Sequence, residues 1–539
     1  MATKFLRSYL LIAIILFAAI LRLYNLSSIP ISLNQDETAL GYNAYSLLKT
    51  GADEYGKFMP LSLKSFGDWK LPVYPLLDTI PILFIGLTEF AVRLPSALAG
   101  IALVPLIYFL SSQIFKNKKI SLLASFFMAV SPWGIFFSRV AYEANVATLM
   151  LVGGLICFFN FYYEKKKGYW LLPASFLWGL TIFTYHAFVV FMPLFAIALF
   201  ALLFKKFLKD KYVFISSLIF VFFVGLSVFS TITSGSIGKL SSTSLFGNKN
   251  IIYERADIYR GDVAKKSALV EKILHNKYPA VLYQIGQNYV STFSPTFLFD
   301  KGGEKLLHNI GNFGNFYLID AFLMISGLAS LFYFKQKRTF ILLLWFIIGP
   351  IPSAITLDAP SSTRLFLLLP GFILIISFGA YVILRYISSF RYLSKFLILG
   401  LVIAFGVNFI YFVDAYFVHM NIHRARFLHY GYKEVVELTN KFPDYNVVMR
   451  GPENFPYVSF LFYNKYPPQK FVSQAKYYPP TDEGFEFVKG FGRYEFVDKI
   501  DYENLKPKTI YVDDTRLGDV EHTIFLPDGE PLIGYLVNR

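Results

Sequence analysis

Cysteine is almost missing from this sequence: Cys157 is the single one in 539 residues. No intrachain disulfide can form, which excludes a disulfide scaffold. Charge is scarce too, at 16% Asp, Glu, Lys and Arg, where soluble domains carry about 25%. No HExxH or CxxC metal signature occurs, nor a Walker loop. Gly302-Gly303 lacks the preceding strand and following helix of a dinucleotide-binding turn. Soluble nucleotides are poor candidates for a donor. Solenoid repeats and low-complexity tracts are also absent.

What fills the chain instead is apolar: 55% hydrophobic residues and 19% aromatics, with 59 Phe and 37 Tyr. No soluble core of this size hides so much apolar side chain, and rings in such numbers suit lipid and its interfaces. The composition is that of a polytopic α-helical membrane protein. The net charge of +15 would suggest nucleic acid on a soluble protein, but here it is concentrated in short loops, so no nucleic-acid partner is expected. Lys4 and Arg7 precede an apolar run to Leu21, followed by Arg22-Leu23-Tyr24-Asn25. Without a small-residue cleavage pattern, this reads as an uncleaved first helix.

A bilayer crossing needs about 20 mostly apolar residues. Eleven stretches qualify: 7–24, 93–115, 120–138, 143–163, 169–186, 187–204, 212–232, 313–334, 339–357, 364–385 and 396–414. A twelfth, 72–88, is short and carries Pro72, Pro75, Pro81 and Asp78. Lysine and arginine remain cytoplasmic. With 72–88 not crossing, Lys116, Lys118 and Lys119, Lys165 to Lys167, Lys205 to Lys211, Lys335 to Arg338, and Arg385 to Lys395 all fall inside. If 72–88 crossed, each of these loops would invert. It is therefore expected to be re-entrant or interfacial, with protein covering its broken backbone. The N-terminus is then cytoplasmic, and segments 25–92, 233–312 and the C-terminal segment lie outside. The expected domains are 1–415, a transmembrane catalytic domain, and 416–539, a small extracytoplasmic α/β domain. The latter has a helical 432–441, a strand at Tyr445 to Met449, an apolar run at Tyr457 to Tyr463, and strands near 509–513 and 532–537.

The outer loops hold the polar residues that could carry chemistry. Asp36 and Glu37 follow the first helix closely, and acids so near hydrocarbon need water or a cavity. Their ordinary role is in a helix N-terminal turn, where the dipole favours them. The same loop is rich in acids, glycines and aromatics: Gly51-Ala-Asp53-Glu54-Tyr-Gly56-Lys57, then Asp68-Trp69-Lys70-Leu-Pro72-Val-Tyr74. Loops this long are usually functional. Lys70 could anchor a phosphate at the interface or snorkel beside an aromatic belt. Arg139 and Glu143, with Tyr142 between, could pair on one helical turn, and His186 could cap a helix end. Arg364 opens a helix from outside, where a cation opposes the dipole and a nearby anion would relieve it. These residues recur at one membrane level, which suits a substrate carried on lipid.

Taken in order, Asp36-Glu37, Lys70-x-Pro72-x-Tyr74 and Ala91-Val-Arg93-Leu-Pro95-Ser96-Ala97 resemble bacterial GT-C glycosyltransferases of the protein O-mannosyltransferase and lipid A aminoarabinose transferase branch (glycosyltransferase family 39-like). So do Ser131-Pro-Trp through Glu143, Thr184-Tyr185-His186, Phe297-Leu-Phe299 with Gly302-Gly303, and Ile351-Pro-Ser through Leu369-Pro370. The resemblance covers roughly residues 1–415. It implies sugar transfer, hexosyl or pentosyl, from a polyprenyl-phosphate carrier to a protein, lipid or glycan acceptor at the outer membrane face. It also implies Asp36 as general base with Glu37 as its companion acid, and Lys70, Arg139 and Arg364 as donor-phosphate contacts. Asp68, Tyr74, Tyr142, Glu143 and His186 would be further pocket residues. The family's Lys-Pro-Pro element is Lys70-Leu71-Pro72 here, and Ala39, Leu40 and Gly41 stand where some members have a basic residue. No cofactor is implied, and a divalent metal is left open. The competing class is a lipid-linked glycan transporter, flippase or polymerase. A transporter would carry mid-helix charges that are few here, and a polymerase would lack the early acidic pair.

Overall fold

The computed structural model describes all residues except 1, 208, 235–243, 247–257, 259–275, 312, 335–336, 391, 482–483 and 516–521. Most of the stretch 235–275, within the outer segment expected at 233–312, thus lies outside the described residues.

The N-terminal part runs through α1 (Ala2–Leu23), α2 (Gln35–Thr50), the hairpin β1 (Leu63–Ser65) and β2 (Asp68–Lys70), α3 (Val73–Ile85) and α4 (Glu89–Phe115). Helices fall on all eleven expected spans. Among the described residues, six are long and apolar enough to cross a membrane on their own. A seventh arises if Lys118–Val130 and Pro132–Ser138, bent by 55° at Ser131, count as one span. Leu318–Tyr333 and Phe340–Ala354 are shorter apolar helices, and Leu171–Ile182 has only 12 residues.

The stretch 72–88 forms one short helix, α3. α3 has 13 residues, about 20 Å of helix against a hydrocarbon core of about 30 Å. Leu76, Ile80, Leu83 and Phe84 are exposed, whereas Tyr74, Asp78, Pro81 and Ile82 are buried. An apolar outer face on a helix too short to cross suits a position at the interface.

The chain divides into two compact units. One comprises Met1–Leu21, Ala99–Phe136 and Glu143–Phe412, and is helical. Its interior is sealed by large rings: Trp133 meets Phe297, Phe316 and Phe366 edge-on at 5.6–5.9 Å. Helices Leu318–Phe334 and Leu369–Ile387 approach backbone to backbone, since a Cβ at Gly379 would collide with the Leu323 carbonyl. Small residues permit such contact where lipid gives apolar surface no reason to associate.

The other unit comprises Arg22–Leu98, Phe137–Tyr142 and Val413–Arg539. This unit runs across the expected boundary at 415/416, joining residues 22–98 to the C-terminal segment. Here β3 (Asn446–Arg450), β4 (Lys476–Tyr477), β5 (Val488–Phe491), β6 (Tyr494–Val497), β7 (Thr509–Asp513), β8 (His522–Phe525) and β9 (Pro531–Asn538) form one sheet in the order β4-β5-β6-β3-β7-β9-β8. β3 is parallel to β6 and β7, and every other pairing is antiparallel. Parallel neighbours need long crossovers, and the one from β3 to β6 holds helices Pro456–Tyr463 and Pro468–Gln474. The expected apolar run at 457–463 is the first of these helices. It packs against α2, where Gly41 leaves room for Phe462 and Val92.

Candidate active site

α2 starts where Asn34 turns its side chain back on the helix. Asn34 Oδ1 accepts from Asp36 N at 2.9 Å and Glu37 N at 3.0 Å, while Glu37 Oε2 accepts from Asn34 N at 3.1 Å. This is a complete capping box. Both acids therefore occupy a helical first turn, the ordinary position for such residues, but their surroundings differ.

Glu37 is buried to 1% exposure. Its carboxylate accepts from Arg93 Nε at 2.9 Å and Nη2 at 3.3 Å, and from Ala141 N at 3.0 Å. Arg93 spends its remaining donors on the carbonyls of Leu26, Pro30 and Ser32 at 2.6–3.0 Å. Arg139, fully buried, donates to the Ile29 carbonyl at 2.9 Å and lies 4.9 Å from the Phe417 ring centroid. Glu37 and Arg139 are thus buried among backbone and guanidinium partners of this unit, where the resemblance implies a companion acid and a phosphate contact. A loop buried at this depth must satisfy its carbonyls internally, and two guanidiniums do so here.

Asp36 is placed differently. Its side chain is 43% exposed, and Lys70 Nζ donates to Oδ1 at 2.5 Å. Asp68 lies 3.7 Å from the same ammonium. Lys70 ends a hairpin with Leu63↔Lys70, Lys64↔Trp69 and Ser65↔Asp68 in register. The turn residues Phe66 and Gly67 have φ of 42° and 78°, the left-handed pair that a two-residue hairpin favours. Lys70 is followed by α3, whose Tyr74 hydroxyl donates to the Val92 carbonyl at 3.0 Å, so Tyr74 holds α3 against α4. Tyr142 packs its ring 4.6 Å from Phe137.

Arg139 and Glu143 do not share a helical turn. One helix ends at Ser138 and the next begins at Glu143. Glu143, His186 and Arg364 belong to the helical unit. His186 is the first residue of helix His186–Phe207. Arg364 forms an ion pair with Asp358, and Lys305 Nζ reaches the other Asp358 oxygen at 3.0 Å. Burial alone would raise the Asp358 pKa, but Arg364 and Lys305 outweigh it and hold the carboxyl below its usual range. Arg364, Glu143 and Asp358 all act electrostatically on Tyr185, so this is a second polar cluster. Lys305 and Arg364 share the Asp358 carboxylate there, with Glu143 as a second acid in the cluster.

Sequence reading missed Arg93 and Lys305 as partners. Arg93 stood within a quoted motif, and only its burial reveals its work. It also missed His429, whose carbonyl accepts from Ser32 Oγ at 3.3 Å and whose ring stacks on Tyr432. Burial lowers the His429 pKa to about 4 against the pull of Asp36. Among the described residues, no group of three or more His, Cys, Asp or Glu gathers as metal donors. Asp36 and Asp68 converge on an ammonium instead.

Comparison with known proteins places this geometry. Over 99% of the chain and 98% of its counterpart, the structure superposes on ArnT from Cupriavidus metallidurans in the apo state with a TM-score of 0.55 at 10% identity. The chain thus shares its fold with ArnT. The undecaprenyl phosphate-bound form of ArnT matches equally well. The oligosaccharyltransferase of Archaeoglobus fulgidus tethered with an acceptor peptide matches over 85% of this chain and 63% of its own, with a TM-score of 0.51 and 12% identity. Residues 70–230 of the chain fit the family described as dolichyl-phosphate-mannose-protein mannosyltransferase, a match that starts at Lys70. "Putative mannosyltransferase YkcB" of Bacillus subtilis (strain 168) is 36% identical over 112 residues, 20% of this chain. That stretch spans 15% of YkcB.

Proposed function

We propose that this protein transfers a sugar from a polyprenyl-phosphate carrier to an acceptor hydroxyl on the outer membrane face, with inversion at the anomeric carbon. The observation that carries the reading is the Asp36–Lys70 pair, an exposed carboxylate and an ammonium 2.5 Å apart, of which Lys70 starts the family-matched segment. ArnT, which has the same fold, has been crystallised with undecaprenyl phosphate. That supports a lipid-phosphate donor here.

The residues divide the work. An ammonium has three donors, so Lys70 can keep Asp36 and still donate to a carrier phosphate oxygen, stabilising the charge that grows as the C–O bond breaks. Asp36 accepts the acceptor's proton while the acceptor oxygen bonds to the anomeric carbon from the opposite face. The phosphate leaves with the bonding electron pair, so no covalent enzyme intermediate is needed. Glu37, Arg93 and Arg139 fix the α2 turn that aims Asp36. The test is lipid extraction from membranes with and without the protein. Loss of the protein is expected to leave a polyprenyl-phosphate sugar unconsumed, and an unchanged lipid profile would contradict the proposal.

A further inference from the structure

The loop motif Asp53-Glu54 plays no part in the chemistry above, yet Glu54 is a buried carboxylate held by three side chains. It is 1% exposed. Oε2 accepts from Asn43 Nδ2 at 3.0 Å and Ser65 Oγ at 2.9 Å, and Oε1 accepts from the Tyr457 hydroxyl at 2.7 Å. The Tyr457 oxygen in turn accepts from Phe66 N at 3.0 Å. Phe66 is the turn residue of the Lys70 hairpin. Its carbonyl accepts from Glu486 N at 3.2 Å, and its ring lies 4.4 Å from Phe455. Lys64, on the same hairpin, pairs with Glu486 at 2.6 Å. Lys70 Nζ sits 4.9 Å from the centroid of the same Phe66 ring.

An unbroken path therefore runs from Glu54 through Tyr457 and Phe66 to the Lys70 ammonium. Three of its anchors, Phe455, Tyr457 and Glu486, come from the C-terminal segment, almost 400 residues from the hairpin in sequence. Phe66 holds a positive φ of 42°, which a bulky residue adopts only when its surroundings impose it. We infer that Glu54 and Tyr457 are positioning residues, through which the C-terminal segment sets the Phe66 turn and with it the place of Lys70 for the carrier phosphate. The inference rests on the proposed function for the role of Lys70, but not for the existence of the clamp.

The clamp depends on protonation. Burial pushes the Glu54 pKa up to about 7, while Tyr457, Ser65 and Lys70 pull it down and Asp53 adds to the rise. Tyr42, Tyr55, Tyr457 and Tyr477 also face its charge, but they remain neutral, their hydroxyl pKa values raised by burial. Above pH 7 the carboxylate accepts all three bonds. Below it, one oxygen carries a proton and cannot keep every donor.

The test uses the full chain and undecaprenyl phosphate in detergent micelles as the probe. Wild type is expected to bind about three- to tenfold more tightly than Glu54→Gln at pH 8, the worth of one hydrogen bond. The two should converge near pH 5.5, and taking their ratio removes the phosphate's own titration. Tyr457→Phe should weaken binding to a similar extent and speed amide exchange at Phe66 without lowering protection in the transmembrane helices. A wild-type to Glu54→Gln ratio that stays flat with pH, or unchanged Phe66 exchange in Tyr457→Phe, overturns the clamp. If Glu54→Gln does not fold, the Tyr457→Phe arm decides alone. Lys70→Gln separates the two claims. Unchanged binding there, with fast Phe66 exchange still seen in Tyr457→Phe, removes the phosphate role of Lys70 and leaves a clamp that serves no donor.

Discussion

Asp36 and Lys70, 34 residues apart in sequence, meet at 2.5 Å where a helix N-terminus faces the end of a hairpin. Glu37, one residue on, reaches Arg93 instead. Adjacent carboxylates thus have opposite fates, because successive residues of a helix point about 100° apart. Asp36 looks outward at 43% exposure, and Glu37 looks into a buried network. The division of labour between them follows from that geometry.

Asp36→Asn keeps the shape and the contact to Lys70 but removes the base. Turnover should fall by roughly 10²–10⁴, with expression and undecaprenyl phosphate binding little changed. Near-normal turnover would transfer the role to Asp68, the other carboxylate beside Lys70.

Arg93→Ala should act on stability rather than on chemistry. It leaves Glu37 buried without its guanidinium, a loss of about 3–5 kcal/mol for a broken buried pair. Thermal unfolding should shift strongly downward, and the activity per folded molecule should change much less than in Asp36→Asn. Full thermal stability in Arg93→Ala would contradict the scaffold role given to Glu37 and Arg93.

Arg364 lies in the short helix Ser362–Leu365 and pairs with Asp358, which Lys305 also reaches. A cation at a helix N-terminus is unfavourable by a few tenths of a kcal/mol, and a bound anion reverses that sign. If Arg364 contacts phosphate, Arg364→Gln should weaken undecaprenyl phosphate binding in a folded protein. Lysine should restore it only in part, since it lacks the bidentate fork. Unchanged binding with a lower Tm would reduce Arg364 to a partner of Asp358.

Orientation is tested separately. Reporter fusions after Lys118 and after Lys337 should both read cytoplasmic, and a fusion at Arg539 should read external. Disagreement between the first two would break the topology, because the same positive-inside argument places both loops.

The helices were legible because apolar runs of bilayer length declare themselves, and helices fall on each expected stretch. The C-terminal strands were legible where β-branched residues cluster, as in Asn446-Val-Val-Met-Arg450. Asp36 and Lys70 were legible as types of residue, but their contact was not, since nothing local predicts which hairpin meets which helix end. Arg139 misled for a physical reason. An arginine beside a membrane suggests an anion, yet here it serves the Ile29 carbonyl, a need created by the fold and invisible in the side-chain pattern. Glu54 was invisible for the same reason, because its partners Tyr457, Ser65 and Asn43 converge only in three dimensions.

The central claim is that Asp36 and Lys70 together consume a lipid-phosphate sugar. The most direct measurement is the lipid profile of cells lacking the protein, complemented in turn by wild type, Asp36→Asn and Lys70→Gln expressed at equal levels. A polyprenyl-phosphate sugar should accumulate without the protein, disappear with wild type and persist with either variant. The account is contradicted if no such lipid accumulates, or if both variants clear it as fast as wild type.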